Sequence, residues 1–210
     1  MKILFIGNSH TYFNDMVASV QRLYTLHGEE TPDVTMLTVG GMTLQWHSKE
    51  PQTRFNLKYG NYDIVVLQQV AHGFAGEEDL FNGFKAILPL IEGANKVPEI
   101  CMYMTWSEKD NPQGQEIMSS SYEHLAQEYD TMLAPVGRIW DTLRNEHPEL
   151  YWEDGQHASP YGSYLVALTM YATFGGRMLD ADVCAKLGEE LKLDASSVDA
   201  IIKAVKAYMQ

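Results

Sequence analysis

The chain has 210 residues, 45% of them hydrophobic, and a formal net charge of −13 at pH 7. That length suits one α/β domain, residues 1–210, with a core that needs no disulfide or metal. The negative balance argues against nucleic acid and anionic membrane surfaces as partners, because both require a basic footprint. A neutral small molecule fits better.

The predicted elements alternate between short apolar runs and amphipathic stretches. Met1 and Lys2 lead straight into a first strand, Ile3 to Ile6, which is too short for the apolar region of a signal peptide. No run is long enough to span a bilayer. The chain reads as soluble, cytoplasmic as it stands or exported if a leader has been removed.

Val17 to His27 has helical spacing, with Asn14 and Asp15 as caps. Val34 to Val39 is a second strand ending at Gly40-Gly41, and Thr43 to Tyr59 is partly helical and broken at Pro51. Ile64 to Leu67 is a third strand ending at Gln68-Gln69, followed by a helix from Leu80 to Ile91. Glu99 to Met104 is a fourth strand, in which Cys101 reads as a buried free thiol. With only two cysteines there is no disulfide framework and no zinc spacing. Ser107 to Ser121, rich in Ser, Asn and Pro, reads as a long loop. A helix from Tyr122 to Leu133, a short fifth strand at Ala134-Pro135-Val136 and a helix from Arg138 to Asn145 follow. Helices at Ser163 to Phe174, Ala181 to Leu191 and Ser196 to Met209 close the chain.

Continuous apolar strands separated by helices predict a three-layer α/β/α sandwich with a central parallel sheet, flavodoxin-like in order. Right-handed crossovers place the strand carboxyl ends along one edge, where ligands bind in such sheets. Gly7-Asn8-Ser9, Gly40-Gly41, Gln68-Gln69 and Thr105-Trp106-Ser107 all fall there.

In Gly7-Asn8-Ser9-His10-Thr11 the glycine allows a sharp exit from the strand, and Ser9 can present its hydroxyl to a cleft. Read alone, this motif serves equally as a helix cap or a nucleophile turn. Asp154-Gly155-Gln156-His157 places a carboxylate three residues before an imidazole on a tight turn. The Asp can fix the ring's tautomer, and the ring can take a serine proton. Read alone, this is a surface turn. Read with a serine at the end of strand one, it is a base for that serine.

The two motifs together resemble those of the SGNH (GDSL-like) hydrolases. Gly7-Asn8-Ser9-x-Thr11 is similar to their first block, with Asn in place of the Asp of GDSL enzymes. Asp154-Gly155-x-His157-x-Ser159-x-x-Gly162-Ser163-Tyr164-Leu165 is similar to the last block of a bacterial subgroup. The resemblance runs in order from residue 1 to about 175. It implies a serine esterase in which Ser9, His157 and Asp154 are catalytic, with no cofactor. It also implies an oxyanion hole formed by the amides of Ser9 and Gly41, with Gly40 as second choice. The family's Gly-x-Asn-Asp block is missing after strand three, and Gln68 is the expected replacement for its Asn, in preference to Gln69.

Around these, His10 either lines the pocket or starts a helix, and Trp46 and His47 either contact substrate or pack. His72 falls at the cleft rim, and Trp106 either stacks on a sugar or belongs to the core. The histidines have no metal-ligand spacing. The expected substrate is a small-molecule or glycan ester with a small acyl group, acetyl on a carbohydrate being preferred through the resemblance. The rival readings are a flavodoxin-like domain holding a flavin phosphate on residues 7–11, and a degenerate hydrolase that binds glycans without cleaving them. Oligomeric state is not legible.

Overall fold

The computed structural model describes residues 1–209. Five strands form one parallel sheet: β1 (Lys2–Gly7), β2 (Asp33–Thr38), β3 (Ile64–Leu67), β4 (Glu99–Tyr103) and β5 (Met132–Ala134), in the order β2-β1-β3-β4-β5. All four pairings are parallel, with Ile3 opposite both Val34 and Ile64, and Ile64 opposite Glu99. This is the flavodoxin-like order, and the architecture is a three-layer α/β/α sandwich.

The pleat sends alternate residues of each strand to opposite layers. Ile3, Phe5, Ile64, Val66, Cys101 and Tyr103 join one apolar cluster. It is closed by α2 (Met16–Leu26), α7 (Val136–Leu143), α8 (Pro160–Thr173), α9 (Ala181–Glu190) and α10 (Ala195–Met209). Leu4, Ile6, Val65, Leu67 and Met102 join the other. Its cover is α3 (Leu44–His47), α4 (Pro51–Tyr59), α5 (Glu77–Glu92) and α6 (Gly114–Tyr129). Because β3 and the greater part of β1 and β4 are buried on both faces, Ile3 to Ile6, Ile64 to Leu67 and Ile100 to Tyr103 are apolar without alternation. Cys101 and Cys184 are buried free thiols. No helix of the described residues is long and apolar enough to cross a membrane.

Three sequence expectations change. The long loop shrinks to residues 107–113, because α6 begins at Gly114. Its buried residues Gln115, Met118, Ser119, Tyr122 and Leu125 have helical spacing, and Ser121 returns its hydroxyl to the Ile117 carbonyl. The fifth strand lies at residues 132–134, not 134–136. The preceding helix stops at Tyr129 because Asp130 turns left-handed at φ 49°, and Pro135 then leads into α7. Neither Asn14 nor Asp15 caps α2 with its side chain. Asn14 instead donates to the Ala158 carbonyl at 2.9 Å and to Ser163 Oγ at 2.8 Å, tying the chain after β1 to the start of α8.

Candidate active site

Ser9 opens α1 (Ser9–Tyr12), just beyond the carboxyl end of β1. Its loop is clamped from three sides. Gln68, at the end of β3, accepts from the Asn8 amide at 2.8 Å and from Thr11 Oγ1 at 3.0 Å. Asn8 Nδ2 donates to the Met42 carbonyl at 3.1 Å, and its Oδ1 accepts from the His10 amide. His47 Nε2 donates to the Gly7 carbonyl at 2.8 Å. Gly7 is required here for close approach and not for a left-handed turn. A Cβ on it would lie 2.6 Å from Gln68 Oε1 and 2.8 Å from Thr11 Oγ1.

The second half of the site comes from the turn before α8. The amides of Gln156 and His157 both donate to Asp154 Oδ1 at 2.9 Å, an Asx turn that folds the loop back on itself. A left-handed Gly155, at φ 70°, completes the turn. Ser159 caps α8 by accepting from the Tyr161 and Gly162 amides. In this frame His157 Nδ1 donates to Asp154 Oδ2 at 2.6 Å. The carboxylate fixes the proton on Nδ1, so Nε2 accepts from Ser9 Oγ at 2.7 Å. The His157 ring stacks on Phe13 with centroids 4.1 Å apart. Burial pushes the Asp154 carboxyl up, but the bonds from the His157 ring and the two amides outweigh it and hold the group below its ordinary range.

Ser9, His157, Asn8, His10, Gly41 and His72 line one cleft of about 280 Å³, together with Val70, Ala71 and Gln156. Of the two candidate glycines, Gly41 lines it, left-handed at φ 72° with open space around its Cα. Among the described residues neither the Ser9 amide nor the Gly41 amide donates a hydrogen bond.

Gln68 does not line this cleft. It is buried, its oxygen is taken by Asn8 and Thr11, and its nitrogen donates to the Gln69 carbonyl. Its amide is therefore committed to holding the Ser9 loop, and the expectation of an oxyanion donor is corrected. Gln69 is likewise committed, to the Leu44 amide, Gln45 and Asp79. Gln68→Ala strands the Asn8 amide and the Thr11 hydroxyl without a partner in the interior. Urea unfolding should show a loss of about 2–3 kcal/mol. Unchanged stability would remove the clamp role.

Three expected substrate contacts also move. His47 is buried under the Gly7 carbonyl, and burial lowers its ring pKa despite that hydrogen bond. Trp46 lines a separate hollow with Met36, Val39 and Glu50 that shares no residue with the Ser9 cleft. Trp106 is core, stacked on Trp140 at 4.0 Å with its Nε1 donating to the Gln156 carbonyl. Phe13, Asn14 and Glu108, which the motifs did not single out, all contact the site's framework.

His10 lies between the rings of Trp106 and His157, with centroids 5.1 Å and 5.0 Å away. Burial, aided by the neighbouring His157, pushes its pKa down from 6.5 to about 3. Below pH 6.5 the unfolded chain takes up a proton here that the native chain refuses, so the native state loses stability as pH falls through that window. Between pH 7.5 and pH 5 this one group costs about 2 kcal/mol. Urea unfolding of His10→Gln at both pH values should show a correspondingly smaller loss than the wild type. An equal loss in both proteins would exclude His10 as the source.

The sheet order defines an α/β/α sandwich, and its carboxyl edge carries a hydrogen-bonded serine–histidine–aspartate cluster. No protein-family model and no curated protein matches the chain. Solved structures do. An SGNH hydrolase from Slackia heliotrinireducens is 27% identical, with 83% of this chain and 99% of that chain covered at a TM-score of 0.68. A lipase/acylhydrolase from Enterococcus faecalis is 17% identical over 85% and 97% of the two chains, with a TM-score of 0.62. An acetylxylan esterase from Geobacillus stearothermophilus is 16% identical over 84% and 94%, with a TM-score of 0.61. The chain shares the three-layer fold of the SGNH hydrolases.

Proposed function

We propose that this chain is a serine esterase that removes a small acyl group, preferably acetyl, from a hydroxyl-rich alcohol such as a carbohydrate. The observation that carries the reading is the unbroken hydrogen-bond chain from Ser9 Oγ through His157 to Asp154. Ser9 attacks the ester carbonyl while His157 Nε2 takes its proton, and Asp154 stabilises the imidazolium. The free amides of Ser9 and Gly41 receive the oxyanion. Collapse expels the alcohol, which takes the proton from His157 and leaves an acyl-Ser9. Water, deprotonated by the same ring, then attacks the acyl group and releases the acid and free Ser9.

The preference for a small acyl group rests on a cleft of about 280 Å³, near the small end of ligand pockets. One structural neighbour is an acetylxylan esterase, in keeping with acetyl on a sugar. The test is hydrolysis of p-nitrophenyl acetate against p-nitrophenyl octanoate, with acetate release from acetylated xylo-oligosaccharides measured alongside. Turnover of acetate esters over octanoate is expected. Binding of glycans without turnover of any ester would favour the degenerate binder, and a yellow purified protein would favour the flavin reading.

A further inference from the structure

A second histidine–carboxylate pair stands at the same cleft, and the mechanism above does not use it. His72, in the loop after β3, lines the Ser9 cleft. Its Nδ1 is 2.8 Å from Glu108 Oε1, in the loop after β4, and the same oxygen accepts from the Gly73 amide at 2.9 Å. Burial pushes the Glu108 carboxyl up, but the bonds from Gly73, His72 and Asn111 prevail and hold it below its ordinary range, so it faces the ring as a carboxylate. Glu108 is itself anchored, because Arg144 donates to its carbonyl at 3.0 Å and to Ser107 Oγ at 2.9 Å.

The carboxylate fixes the ring's orientation and keeps a proton on Nδ1. Among the described residues Nε2 makes no hydrogen bond. In the neutral ring Nε2 accepts, and in the imidazolium it donates. A hydroxyl can answer both, because it carries a donor and two acceptor sites. An apolar group answers neither.

The pair also straddles two hollows, with His72 lining the Ser9 cleft and Glu108 lining its neighbour. That neighbour is a second cavity of about 260 Å³, which shares Ala71 with the Ser9 cleft and is lined by Glu108 itself with Phe74, Asn111 and Gln113. A ligand with its ester at Ser9 and its bulk in that cavity runs alongside His72.

We infer that His72, positioned by Glu108, binds a hydroxyl of the alcohol portion of the substrate next to the scissile ester. The inference rests on the esterase reading, in which an acetyl group has no hydroxyl and the alcohol supplies it. His72 is then the specificity-determining residue and Glu108 its positioning residue.

Two acetates that differ by a single hydroxyl test this: cyclohexyl acetate and trans-2-hydroxycyclohexyl acetate. The wild type should prefer the hydroxylated ester by about tenfold in kcat/KM, the worth of one good hydrogen bond. His72→Ala should bring that ratio to within about twofold, mainly through KM, and Glu108→Gln should fall between. His72→Gln, which keeps a donor and an acceptor, should restore part of the preference. Thermal unfolding of each variant excludes a folding defect, the His72 side chain being exposed and that of Glu108 largely covered. A wild type that cleaves both esters equally, or a His72→Ala enzyme that keeps the full preference, overturns the inference alone. A wild type that cleaves neither ester overturns the esterase reading and the inference with it.

Discussion

Ser9→Ala should lower kcat/KM for p-nitrophenyl acetate by about 10⁴-fold or more, with the fold intact. The serine hydroxyl is the group that His157 Nε2 meets at 2.7 Å, and alanine leaves the ring with nothing to deprotonate. Asp154→Asn makes a sharper case. The asparagine oxygen can still accept from the Gln156 and His157 amides, so the turn survives. Its NH₂ group now faces Nδ1, where the carboxylate stood at 2.6 Å. The ring must shift its proton to Nε2 and can no longer accept from Ser9. A loss of about 10²–10⁴-fold follows without loss of stability. The double variant should be no worse than Ser9→Ala, because the three residues act as one unit. Ser9→Ala retaining turnover within tenfold of the wild type would sink the nucleophile assignment.

The strands were legible wherever burial on both faces made them continuously apolar. Ile3 to Ile6 and Ile64 to Leu67 each fall inside the strand that contains them. β5 is three residues long and carries too few side chains to show a pattern, so Ala134-Pro135-Val136 drew the reading two residues late. The serines before Tyr122 suggested a loop because serine favours turns. The buried stripe from Gln115 to Leu125 outweighs that preference.

At the site, the order of motifs was enough to pair Ser9 with a histidine 148 residues later. The facing of side chains at strand ends was not legible. Gln68, His47 and Trp106 all sit near the carboxyl edge, and all three turn inward. Which way each points depends on partners far along the chain: Asn8 for Gln68, Gly7 for His47, Trp140 for Trp106. Asn14 shows the same limit. Its neighbours make it look like a local cap, and its bonds run to residues 144 and 149 positions away. His72 was legible as a rim residue. Its carboxylate partner, 36 positions on, was not.

Gly162→Ala should be strongly damaging although it adds a single methyl. A Cβ at Gly162 would lie 2.4 Å from the Leu150 carbonyl oxygen and 2.5 Å from the edge of the Trp140 ring. Neither can yield cheaply. Trp140 is held flat against Trp106 at 3° between ring planes, with the Tyr151 ring at 78° to it and 5.0 Å away. The Leu150 carbonyl accepts from the Ser159 amide at 2.9 Å, the bond that closes the base of the His157 loop. Alanine gains up to about 1 kcal/mol of helix propensity at this position in α8. Overpacking against a fixed ring and a fixed carbonyl costs about 3 kcal/mol or more. The net loss of about 2 kcal/mol should lower Tm by about 4–8 °C in a chain of this size. Because Leu150 and Ser159 must part to admit the methyl, His157 should also shift, and kcat should fall with Tm. Gly114→Ala is the control: the atoms nearest its Cβ would be those of the exposed Asn111 side-chain amide, from 2.8 Å, at the first residue of α6. That variant should unfold at or above the wild-type temperature. Equal Tm values for the two alanine variants would mean that the Trp140 ring can move, and that the glycine in the last motif serves something other than close packing.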